Sequence, residues 1–129
     1  MAIQTLDNLS TMGTQKTKIN ANFVESYGGY NVKAFTNVNS ATYDLLVTDF
    51  LIGVSYTATG AVTSLTLPTA QTLEGRVIII KDTGGNAGTN SITIDTEGSE
   101  KIDGEDTLVL DNDYDSYTLM SDGSNWFII

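Results

Sequence analysis

From Tyr43 to Ile129 the chain is a succession of short β-type runs, each closed by Gly, Asn, Asp or Pro. "AVTSLTLP" sets Val62, Leu65 and Leu67 among Thr and Ser, and Pro68 ends the run because it has no N–H for a ladder. "RVIIIKD" is a continuous β-branched run with charges at both ends, the pattern of a central strand buried on both faces. "SITIDTEG" points Ile92 and Ile94 one way, and "TLVLD" turns Leu108 and Leu110 inward. "YDSYTLMSDGSNWFII" reads as a hairpin, with Asp122-Gly123 supplying the positive φ of its turn. The Gly/Asn loop "TGGNAGTN" reads as a hairpin connection, and "TAQTLEG" as a helical turn or a loop. These segments predict about eight short strands at the spacing of a sandwich or barrel.

The first part of the chain has a different period. In "KTKINANFVESYGG", Ile19, Phe23 and Tyr27 recur at i, i+4 and i+8, so one stripe of a helix carries three large apolar groups. Thr14 is the expected N-cap, and Gly28-Gly29 stops the helix. About fourteen residues of helix are marginal alone in water, so the stripe needs a partner. That partner is either the chain's own domain or another chain. Residues 30–42 are Asn-, Thr- and Ser-rich and read as a connector with at most one weak strand. The expected division is an attachment arm and helix over 1–33 and a β module over 34–129.

Charge narrows the partners. The formal charge is −10. Residues 1–33 carry Lys16, Lys18 and Lys33 against Asp7 and Glu25, a net of +1. Residues 34–129 carry Arg76, Lys81 and Lys101 against 14 acids, a net of −11. An acidic body repels phosphate backbones and anionic membrane surfaces, so neither nucleic acid nor membrane is an expected partner. No apolar run approaches the ~20 residues of a membrane span, and the start has no signal-peptide pattern. The chain ends on "WFII", which needs cover from the core or from a neighbouring copy.

Neither Cys nor His occurs. Disulfides, Cys/His zinc sites and His-dependent nucleophilic catalysis are therefore ruled out. "DNDYDSYTLMSD" spaces its carboxylates somewhat like a calcium loop, but Ser116 stands where the turn needs Gly, and Asp122 stands where a bidentate Glu belongs. The acidic stretch Thr96 to Asp106 reads as a solvated turn. No cofactor, metal or catalytic residue is expected. A ligand surface has one candidate set, Asn86 and Asn90 of the Gly/Asn loop with Trp126 as an aromatic platform. Trp126 also lies among core-type residues in "SNWFII", which points to packing.

Two stretches carry a family resemblance. "QKTKINANFVESY" resembles the N-terminal segment of tailed-bacteriophage fibre and tail-associated proteins. "VTSLTLPTAQTLEGRVIIIKDTGGNAGTNSITID", "IDGEDTLVL" and "SDGSNWFII" resemble a repeating β module of phage tail-fibre, baseplate and particle-surface proteins. The resemblance implies a non-enzymatic virion protein on the particle surface, made in the bacterial host cytoplasm. The chain is short for a fibre, which implies a short spike, a tail-attached piece or a head decoration protein. It also implies a homotrimer whose partners are capsid or tail proteins. Lys16, Lys18, Ile19, Phe23 and Tyr27 would anchor it to the particle or bundle the copies. The alternative is a carbohydrate-binding receptor module of the tail that meets host surface polysaccharide. The expected fold is mainly β, a short N-terminal helix followed by an antiparallel β-sandwich or jelly-roll-like module.

Overall fold

The computed structural model describes residues Lys33–Ile129. The predicted helix and the anchoring set Lys16, Lys18, Ile19, Phe23 and Tyr27 lie outside them. Within the described residues the protein is mainly β, with nine strands in two sheets and two single turns of 3₁₀ helix, Tyr56–Thr59 and Ala70–Thr72. The strands are β1 (Phe35–Val38), β2 (Thr42–Asp44), β3 (Leu51–Val54), β4 (Thr63–Leu67), β5 (Val77–Asp82), β6 (Ile92–Thr96), β7 (Leu108–Leu110), β8 (Ser116–Ser121) and β9 (Trp126–Ile128). One sheet has the order β1-β3-β5-β8-β9 and the other β2-β4-β6-β7.

The pairing corrects the antiparallel expectation. β1, β3 and β5 pair parallel, as do β2, β4 and β6; only β5–β8, β8–β9 and β6–β7 are antiparallel. Through β6 the chain changes sheet at every strand. Each strand of one sheet is thus part of the crossover between parallel neighbours in the other, and so meets the length that a parallel connection demands without a helix. The result is three stacked rungs, β1–β2, β3–β4 and β5–β6, followed by an antiparallel finish. A jelly roll has no such rungs. The Gly/Asn loop after β5 is accordingly no hairpin, since it passes from one sheet to the other.

The core lies between the inner faces of the sheets. Val38, Ile52, Ile80 and Leu119 are buried on the five-stranded side, and Leu65 and Ile94 on the four-stranded side. In register they form rows such as Tyr43–Leu65–Ile94–Leu108, so the period-two alternation of each strand fills one layer of core. In β5, Ile78, Ile80 and Asp82 face in, while Val77, Ile79 and Lys81 are only half-buried. The strand is central in its sheet but is not buried on both faces. Val62 lies just before β4 and is exposed; Thr63, Leu65 and Leu67 are the buried residues there.

Candidate interaction surfaces

Among the described residues three carboxylates are buried, and each one holds a turn. Asp49 Oδ1 accepts from the Thr36 hydroxyl at 2.6 Å, and its Oδ2 accepts from the Tyr43 hydroxyl at 2.9 Å and from the Leu46 N–H at 2.8 Å. Burial, then the hydrogen bond to Asp49 and its charge, push the Tyr43 phenol up from its ordinary value. Glu100 accepts from the Thr69 hydroxyl at 2.8 Å and holds the Ala70 N–H between both oxygens at 2.9 Å.

Asp82 is the most engaged of the three. Its Oδ1 accepts from the Thr57 hydroxyl at 2.7 Å and from the N–H groups of Gly84 and Gly85 at 3.0 Å. Its Oδ2 accepts from Asn86 N–H and Ala87 N–H at 3.0 Å and from Tyr114 N–H at 3.1 Å. Burial pushes this carboxyl upward more than any other single influence. The Thr57 hydroxyl and the backbone N–H groups of Tyr114, Ala87 and Gly85 together outweigh it and hold the group below its ordinary value. A fully bonded carboxylate of this kind is a structural clamp. It has no lone pair left for a substrate proton or a metal. Among the described residues, no three or more acidic side chains are placed to hold a metal ion.

The predicted ligand residues do not meet. Asn86 and Asn90 both turn their amides inward and donate to the Thr57 carbonyl, at 3.1 and 2.7 Å. Trp126 is fully buried. It pairs with Ser121, whose N–H donates to the Arg76 carbonyl before β5 begins, whereas the two Asn residues follow the far end of β5. Six residues of strand, roughly 20 Å, separate the two places. Trp126 therefore packs, and the Asn pair braces the loop. The exposed aromatic beside that loop is Tyr114 at φ 61°, with its ring against Gly85 and Lys81 Nζ 5.9 Å from its centroid. Nothing in the sequence separates Tyr114 from the other five Tyr residues, because it lies in an acidic run that looks like a turn.

The outer faces of the two sheets differ. On the four-stranded sheet the outward rows are Thr42–Ser64–Thr93–Val109 and Asp44–Thr66–Asp95, polar except for Val109. On the five-stranded sheet one outward row is Phe35–Leu51–Ile79–Thr118 and the next is Val77–Met120–Phe127. Phe35 is 58% exposed, and its ring crosses onto Gly53, where a Cβ would lie 2.7 Å from it. A side chain at residue 53 would lift the ring off the sheet. The face therefore carries a diagonal apolar band across all five strands. Alternation gave the inward sets; the outward band shows only once the register aligns five separate segments. No family model matches this chain, and no curated protein matches it.

Proposed function

We propose that the protein is a non-enzymatic structural protein of a tailed-bacteriophage virion, a short spike or fibre or a head decoration protein, anchored by its N-terminal segment. The observation that carries this reading is the contrast between the faces. A module with one polar outer face that carries Asp44 and Asp95, and one outer face crossed by an apolar band, is suited to standing with one side covered and the other in solvent. The resemblance of "QKTKINANFVESY" and of the β segments to virion proteins supplies the context. The consumption of Asp49, Asp82 and Glu100 in holding turns fits a scaffold better than an active site. In this reading the copies form a homotrimer, and Ile19, Phe23 and Tyr27 dock on capsid or tail proteins. Immunogold electron microscopy with an antibody to the chain tests it: purified particles should be labelled at a fixed structural position. Label that remains with the host cell lysate and is absent from purified particles would overturn it.

A further inference from the structure

We infer that the outer face of the five-stranded sheet is where copies of this chain pack on one another. The occupant of this face is another copy, whether or not the protein belongs to a virion. Residues 34–129 hold 14 acids, of which Asp49, Asp82 and Glu100 are buried, so 11 remain to repel an identical neighbour. None of those 11 lies on the outward rows of this sheet; Lys81 is the one charged residue there among the described residues. Two copies can approach here without setting carboxylate against carboxylate. A foreign basic partner would instead be drawn to the acidic turns and to the Asp44–Asp95 row of the other sheet.

The band runs from Phe35 at one edge, through Leu51, Ile79 and Val77, to Met120 and Phe127 at the other edge. Two twisted sheets that pack face to face keep their strands within about 30° of each other. A two-fold axis in the plane between them, along or across the band, lays one band on the other, so the patch is self-complementary. Three faces about a three-fold axis cover it as well. Gly53 leaves room for the Phe35 ring to lie down on the sheet within the band.

Five strands of three to six residues, about 10–20 Å long and about 4.8 Å apart, present on the order of 360 Å². That is roughly half of the ~800 Å² that each partner gives to a standard stable interface. The association read in solution is therefore weak and depends on concentration.

Sedimentation equilibrium of the full chain from about 1 μM to about 1 mM tests this. The wild type should shift to higher mass across that range. Phe127→Lys, on the edge strand, and Ile79→Lys, at the centre of the band, should each weaken association by about tenfold or more. Val109→Lys, on the outer face of the other sheet, should not. Far-ultraviolet circular dichroism checks that each variant folds, and Phe127→Lys alone suffices should Ile79→Lys fail to fold. A wild type that stays monomeric throughout would overturn the inference. So would variants of the band that associate as the wild type does, or a Val109→Lys effect of equal size.

Discussion

The Thr57 hydroxyl donates to Asp82 Oδ1 at 2.7 Å, and the Thr57 carbonyl accepts the side-chain amides of Asn86 and Asn90. One residue of a 3₁₀ turn after β3 thus holds the carboxylate that ends β5 and the loop that follows it. The second and third rungs are joined at this end of the sheet by polar bonds, where the apolar core stops.

Removing Asp82 should cost more than removing Thr57. Thr57→Val deletes one hydrogen bond to a charged acceptor, about 1.5–3 kcal/mol. Asp82→Asn keeps the shape but turns an amide toward N–H groups that need an acceptor, a loss of about 3 kcal/mol or more. Thr57→Ser should lie near the wild type. Urea unfolding curves of the three variants give this order directly, and an Asp82→Asn protein as stable as the wild type would contradict it.

The Asp82 carboxyl is held below its ordinary value in the folded protein. Its contribution to stability is therefore complete above the unfolded value of about 3.9 and is lost as pH falls through the folded value. Unfolding free energy should fall on acidification below about pH 4. Asp82→Asn should be less stable at neutral pH and should lose less over the same acid range. Parallel slopes for the two proteins would place the acid sensitivity in other carboxylates.

Gly85 has φ +68°, and a Cβ on it would lie 2.1 Å from Tyr114 Cζ. Gly85→Ala therefore meets two penalties, the left-handed backbone and the ring. About 1–2 kcal/mol belongs to the backbone alone. Tyr114→Gly removes the ring and also relieves the positive φ of 61° at that position. The double variant should recover part of the loss, as a thermal-melt double-mutant cycle would read. No recovery would mean that the ring moves aside freely.

Trp126 is the single Trp of the chain and is fully buried, so fluorescence reports one site. Its emission should be blue-shifted and only weakly quenched by acrylamide. It should not respond to added bacterial polysaccharide, whatever that polysaccharide does at the surface. A red, readily quenched spectrum would return Trp126 to the surface as a candidate platform.

Strand positions were legible in the sequence because alternation is local. Leu65 and Leu67, Ile92 and Ile94, and the hairpin through Asp122-Gly123 all fall where their spacing puts them. Sheet partners were not legible. A short polar turn that returns a strand to its neighbour and one that sends it to the opposite sheet use the same Gly, Asn and Asp residues, so "TGGNAGTN" read as a hairpin. Leu46 and Val47 are of strand-forming type, yet they belong to the turn that Asp49 closes, and both are exposed. Asp82 read as the charged end of a strand. The donors that make it a clamp come from Thr57, from residues 84–87 and from Tyr114, segments that are brought together only by the rungs. The ligand set of Asn86, Asn90 and Trp126 rested on residue type, and residue type does not report which way a side chain turns.

The fold of the β module should not require the first 32 residues. Among the described residues the core is supplied by both sheets, with Val38, Ile52, Ile80, Leu65, Ile94 and Trp126 wholly or almost wholly buried, and the earliest strand starts at Phe35. Deleting residues 1–32 should leave a cooperative β protein by far-ultraviolet circular dichroism and thermal unfolding. The same deletion removes Ile19, Phe23 and Tyr27, the proposed anchoring stripe, along with Lys16 and Lys18. In a particle-binding assay by co-sedimentation, the truncated protein should remain in the supernatant. Phe23→Asp is the gentler form: burying an unpaired carboxylate costs several kcal/mol, enough to abolish docking, while the β signal is unchanged. Normal co-sedimentation of the truncated chain would remove the anchor from residues 1–32 and shift attachment to the β module. A truncated chain that fails to fold would show that the stripe belongs to the core of its own domain.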